Sequence, residues 1–179
     1  MIVDKNSLKE YLKADKEALG IKCKFVPLFG KEIWKFEISL RYYEFYLNRG
    51  GKLQTIFWKF VNHHYAIKLG YTIPPNTCGK GLNIHHYGCV VINENARLGE
   101  YCNIQQCVNI GQNHGANNCP VIGDHVYIGP GAKIFGKVTI ANGIAIGAGS
   151  VVTRSFLNEN TTIVGNPARE IGTRKPGIY

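Results

Sequence analysis

Two stretches of this chain bring together side chains that can do chemistry. In the first, Ile84-His85-His86-Tyr87-Gly88-Cys89-Val90-Val91, two adjacent histidines sit among aliphatic residues. In the second, Gln112 to Pro120, the run Gln-Asn-His-Gly-Ala-Asn-Asn-Cys-Pro is polar and rich in amides. Histidine titrates near neutrality, so an accessible imidazole can take a proton from a hydroxyl group. His86 is the expected base. The plain alternative is that His85 and His86 form only a polar corner, but the hydrophobic spacing is disturbed at this point, which favours the functional reading. The second stretch offers Asn113, His114 and Asn117 as hydrogen-bonding groups and is expected to loop out of the scaffold, where function concentrates.

The scaffold is written in a beat of six. Ile92, Leu98, Ile104 and Ile110 fall six apart, and Ile122, Ile128, Ile134, Ile140, Ile146 and Val152 resume the spacing. Four residues after a beat come small or aliphatic side chains such as Ala96, Cys102, Val126, Ala132 and Ser150, and glycine often follows the beat directly. Neither a helix nor a strand repeats every six residues. A parallel β-helix does, because each short strand and its turn form one face of a coil, and the coils stack. The beat slips by two between Val90 and Ile92, so the first coil is expected to carry extra residues at a corner, beside the histidines. Ile110 and Ile122 are 12 apart, so the polar segment stands where one hexad would be. Such a prism leaves flat faces and open ends. Its three-fold section suits a homotrimer, with grooves between neighbouring prisms.

The first 70 residues read as helices: one from the capping-box signature Ser7-Leu8-Lys9-Glu10 to Gly20, one over 31–48, and one over 53–69 ending at Gly70. The aromatic run Phe57, Trp58, Phe60 and Tyr65 is expected to pack inward rather than form a binding platform. The expected organisation is therefore mainly β: an N-terminal helical domain (1–70), a β-helix (71–155) and a C-terminal tail (156–179). Of the net charge of +9, a surplus of six falls in residues 1–70, without a block of consecutive basic residues. That excludes a nucleic-acid footprint and reads as a solvated helical face, with attraction to an anionic cofactor or polysaccharide left open. Six cysteines show no metal-ligand spacing; Cys102 is expected in the core and Cys107 outside it. No apolar run at the start resembles a signal peptide and no segment could span a membrane, so a cytoplasmic location is expected.

Repeats such as Val-Ile-Gly-Asp-His-Val and Ala-Ile-Gly-Ala-Gly-Ser-Val-Val resemble those of the hexapeptide acyltransferases. That resemblance implies a left-handed β-helix, a trimer and an acetyl-CoA or other acyl-CoA donor. Within the group the chain is similar to bacterial serine O-acetyltransferases, through Ile84–Val91, Glu94 and Val164-Gly165-Asn166-Pro167-Ala168-Arg169. The resemblance puts the catalytic histidine at His86 and the donor's groove along Gly111, Pro130, Lys133 and Ala148, with Arg154 or Lys137 for phosphates. It puts Asp15 among the acceptor-site acids. At three positions the chain departs from the family: His85 and Tyr71 stand where the family has aspartate, the one at Tyr71 orienting the imidazole, and Cys119 where it has a second histidine that helps hold the serine. A zwitterionic amino acid needs balanced charges. A sugar hydroxyl needs only hydrogen bonds, which Tyr71, His85, His114, Asn113 and Asn117 can offer. The expected acceptor is therefore a sugar of a surface polysaccharide or its precursor, with L-serine as the alternative. Two remoter alternatives are a non-catalytic trimeric scaffold and a zinc hydratase using His86, His114 and His125. The zinc family's close histidine pair within one coil is missing, so no metal is expected.

Overall fold

A computed structural model describes residues 1–115 and 117–174. Ala116 of the polar segment and residues 175–179 of the expected tail lie outside the described residues. Three helices come first: α1 (Lys5–Ala18), α2 (Glu32–Arg49) and α3 (Lys52–Leu69). The capping box of α1 sits three residues earlier than expected, on Asp4 and Ser7. Asp4 accepts from the Ser7 N–H at 2.7 Å and Ser7 Oγ accepts from the Asp4 N–H at 3.1 Å. Ser7 thus closes the box from inside the helix, because Asp at the cap position satisfies the orphan N–H groups as well as Ser does.

The strands are short and fall on three faces. The first face stacks β1 (Tyr71–Thr72), β3 (Val90–Ile92), β6 (Asn109–Gly111), β9 (Lys133–Phe135) and β12 (Val151–Val152), all parallel. The second stacks β4 (Arg97–Leu98), β7 (Val121–Ile122) and β10 (Thr139–Ile140). The third stacks β2 (Asn83–Ile84), β5 (Asn103–Ile104), β8 (Tyr127–Ile128), β11 (Ala145–Ile146) and β13 (Thr161–Val164), and β14 (Arg169–Thr173) pairs antiparallel with β13. The chain runs from third face to first to second and round again. This is a left-handed β-helix, mainly β with a small helical part.

The beat residues fill the prism. Ile84, Ile104, Ile128, Ile146 and Ile163 form one fully buried ladder, Ile92, Ile110, Ile134 and Val152 a second, and Leu98, Ile122 and Ile140 a third. Each such side chain contributes about 1.5–3 kcal/mol on burial. Glycine after the beat has a steric reason: a Cβ on Gly99 would stand 2.6 Å from the Gly123 carbonyl carbon of the next coil. Phe36 and Leu40 of α2 close the N-terminal end, with Phe36 meeting Tyr71 edge-on at 5.2 Å. Phe36, Leu40 and Leu69 thus share the core of the prism, while Leu8 of α1 and Phe45 of α2 form a second, smaller cluster with Ile2.

Three expectations change. Pairing does not stop at Val152: Phe156 bridges to Ile140, and β13 lies on β11. The last turn is 17 residues from Ile146 to Ile163 instead of 18, so the six-residue rule loses it. Gln112–Pro120 adds six residues rather than replacing a hexad, since Asn109 pairs with Lys133 and Arg97 with Val121, each 24 apart, while Val121 pairs with Thr139, 18 apart. No face is interrupted. Of the aromatic run on α3, Phe57 and Phe60 are exposed; only Asn62 and Leu69 of that helix are buried.

Candidate active site

His85 and His86 occupy the corner between β2 and β3. Ile84 and Ile92 are eight residues apart, whereas Ile104–Ile110, Ile128–Ile134 and Ile146–Val152 take six. The two extra residues push the corner outward. Its backbone is nonetheless pinned: His85 N–H donates to Ile104 O at 3.2 Å, Gly88 N–H to Leu69 O at 3.1 Å, and Val90 N–H to Gly70 O at 3.1 Å. The fourth pin is Tyr71, whose Oη donates to the His86 carbonyl at 2.8 Å. Gly88 turns the chain at φ 131°, a conformation that glycine alone adopts readily. Both imidazoles project into solvent from this fixed frame, their centroids 5.3 Å apart and their planes at 70°.

Tyr71 was expected among acceptor contacts, but it is 4% exposed and its hydroxyl is spent on His86. Burial, with a smaller contribution from Glu37, pushes its phenol far up, so it stays a donor. Asp15 was expected there as well. It is buried: Arg41 Nε reaches its Oδ2 at 2.7 Å, Arg41 Nη2 its Oδ1 at 3.3 Å, and the Leu82 N–H donates to Oδ1 at 3.0 Å. Arg41 also holds Glu44 at 3.0 Å and the carbonyls of Cys78 and Gly79. Asp15 therefore ties helix to prism and presents no oxygen to an acceptor. Cys119 is buried as well and donates to Asn93 Oδ1 at 3.3 Å, anchoring the return of the polar loop.

Sequence reasoning missed a cavity beside His85. It holds about 420 Å³ and is lined by Trp34, Glu32, Lys31, Asn83, Tyr87 and His85, among others. Tyr87 Oη reaches Glu32 Oε2 at 3.3 Å, and Lys68 Nζ meets the other oxygen at 3.3 Å. The backbone N–H of Glu32 at the helix start, with Lys68, holds this carboxyl below its usual range. Tyr87 was already visible in the histidine motif. Trp34 read only as a helical stripe, because nothing in a sequence shows that a stripe will border a hollow.

The residues expected along the donor groove fall on the first face and its two edges. Pro130 and Ala148 lie at corners stacked over the His86 corner, and the Gly149 N–H donates to Pro130 O at 2.8 Å. Lys133 is in β9, its amine on Cys107 O at 2.7 Å. Gly111 ends β6, where a Cβ would stand 3.0 Å from the Phe135 ring. Arg154 lies beyond β12, over the Phe156 ring at 5.1 Å. His114, at φ 40°, belongs to the polar loop on this same far edge. The face thus separates His86, Pro130 and Ala148 on its entry edge from Gly111, His114 and Arg154 on its exit edge. Within one chain the two sets do not meet. Lys137 is exposed, as is Glu94, and Cys107 faces outward while Cys102 is in the core. Among the described residues no three His, Cys, Asp or Glu side chains form a metal cage, and His86, His114 and His125 sit at three different corners.

No protein-family model matches the chain. A serine acetyltransferase of Synechococcus elongatus is 36% identical over 116 residues, which is 63% of this chain and 47% of that protein. Escherichia coli K12 WcaB, provisionally named a colanic acid biosynthesis acetyltransferase, is 43% identical over 95 residues, 52% of this chain and 57% of that one. The chain thus spans about half the length of the curated relatives it matches. The serine acetyltransferase of Brucella abortus, solved in complex with coenzyme A, superposes with a TM-score of 0.76 at 25% identity, covering 96% of this chain and 70% of that one. In sequence and in fold alike, the chain is similar to the hexapeptide-repeat acyltransferases.

Proposed function

We propose that this hexapeptide-repeat chain, built like the serine acetyltransferases, is an acetyl-CoA-dependent O-acetyltransferase whose acceptor is a sugar hydroxyl of a surface polysaccharide or its precursor. The observation that carries it is the pinned corner. An exposed imidazole, His86, stands on a backbone fixed by Tyr71, Leu69, Gly70 and Ile104, and its neighbours His85 and Tyr87 line a cavity of about 420 Å³. His86 takes the proton from the acceptor hydroxyl as its oxygen attacks the thioester carbonyl. The tetrahedral intermediate then collapses, the C–S bond breaks, and the proton on His86 goes to the leaving thiolate. Pro130, Ala148 and Lys133 flank the donor's arm, with Gly111 and Arg154 supplied across the groove by a neighbouring prism of a homotrimer. The donor is consistent with the cytoplasmic location expected from the sequence.

Support for a sugar comes from what the acceptor side lacks. Asp15 is committed to Arg41, Tyr71 to the His86 carbonyl, and Cys119 to Asn93. The lining beside His85 includes Trp34, Tyr87 and Asn83, rings and an amide suited to a sugar. L-serine is the second reading, favoured by Lys31 and Glu32 in that same lining and by the names of the relatives. Incubation with acetyl-CoA and L-serine, against a panel of nucleotide sugars and oligosaccharides, separates the two. Acetylated saccharide is the expected product; robust O-acetylserine overturns the sugar assignment.

A further inference from the structure

The outer face of α3 is apolar, basic and uncovered. Leu53, Ile56, Phe57, Phe60 and Ile67 are 80%, 66%, 58%, 74% and 70% exposed. The helical period lines them up in one stripe, opposite the buried Asn62 and Leu69. Lys52 and Lys59 border one side of that stripe and Lys68 the other, and α3 contains no Asp or Glu. The connection from α1 to α2 has the same character. Phe25, Leu28 and Phe29 are 77%, 82% and 84% exposed, and between Glu17 and Glu32 the only charges are Lys22, Lys24 and Lys31. It leads into the start of α2, where Glu32 pairs with Lys68 at 3.3 Å, so both features share one end of the helical cap.

We propose that this face docks on an anionic lipid surface, α3 lying in the plane of the membrane. Leu53, Ile56, Phe57, Phe60 and Ile67 would enter the headgroup–acyl boundary and the lysine amines would meet lipid phosphates. Charge decides the occupant. A second copy packed on the same face about a two-fold axis would set lysines against lysines, with no carboxylate in the helix to pair them. A phosphate surface compensates Lys52 and Lys59 at once, Lys68 already being paired with Glu32. Lysines on both borders of the stripe suit a lipid boundary, since the stem lies on hydrocarbon while the amine stays wet. The surface is lain on rather than crossed: among the described residues no helix is long and apolar enough to span a bilayer.

Flotation with phosphatidylglycerol–phosphatidylethanolamine vesicles, against vesicles of phosphatidylcholine alone, tests this on the full chain. The expected result is at least about tenfold stronger binding to the anionic vesicles, lost to a similar extent in F57S/F60S, in K52Q/K59Q and in high salt. Absence of binding, or equal binding to both vesicle types, overturns the proposal. So does self-association in analytical ultracentrifugation that F57S/F60S abolishes, which would make a second copy the occupant. Should F57S/F60S lose its melting transition, K52Q/K59Q, which changes only surface amines, decides alone.

Discussion

At the scale of single residues, the His86 corner yields two separable expectations. His86→Ala removes the proposed base, and kcat for acetyl transfer should fall by about 10²–10⁴-fold with little change in melting temperature; unchanged transfer in a coupled thiol-release assay removes the assignment. Tyr71→Phe deletes only the hydroxyl that holds the His86 carbonyl at 2.8 Å. It should cost about 1 kcal/mol of stability and lower kcat while leaving the KM for acetyl-CoA unchanged. A rise in KM alone would mean that Tyr71 contacts substrate. The histidines were legible in the sequence because the beat breaks beside them. The role of Tyr71 was not: a tyrosine where the resemblance expects an acid reads as a polar contact, and only the fold shows its hydroxyl turned inward to a carbonyl. Asp15 misled for the opposite reason, since a carboxylate in a matching place says nothing about the Arg41 waiting across the helix pair.

At the scale of elements, Arg41 is the joint. Its guanidinium reaches α1 through Asp15, its own helix through Glu44, and the first coil through the Cys78 and Gly79 carbonyls. Replacing it with Met should cost about 3–5 kcal/mol, because two carboxylates would be left buried and unpaired; a urea melt checks this. Glu37 lies in the same interior with neither side-chain oxygen hydrogen-bonded. Burial first, and then Asp15, push its carboxyl well above the usual range. The folded chain therefore keeps a proton that the unfolded chain releases above about pH 4.3, so stability declines as pH rises from there towards the folded value. Glu37→Gln should flatten that decline and raise the melting temperature by a few degrees at pH 8; an unchanged pH profile would mean that Glu37 is ionised. The helices themselves were legible from spacing and terminal glycines. Their outward face was not, because an aromatic stripe looks the same whether a partner covers it or solvent does.

At the scale of the whole molecule, the prism was the most legible part, since hydrophobic side chains spaced six apart have few other ways to be buried together. Its last turn escaped because 17 residues there do the work of 18. The proposed site residues are divided: His86 lies on the entry edge of the first face, His114 and Arg154 on its exit edge. If the groove joins opposite edges of two copies, co-expressed His86→Ala and Arg154→Ala chains should form mixed trimers with more activity than either variant alone. Failure to complement in a trimer verified by light scattering would place the whole site within one chain. The polar loop carries a different lesson. Because Gln112–Pro120 adds six residues at a corner and every strand on either side stays in register, it behaves as a cassette. Cutting out residues 113–118, or splicing in a foreign loop of another length, should leave the coils stacked as before, with the melting temperature as the check. Such a protein can lengthen, shorten or replace one corner without renegotiating its fold.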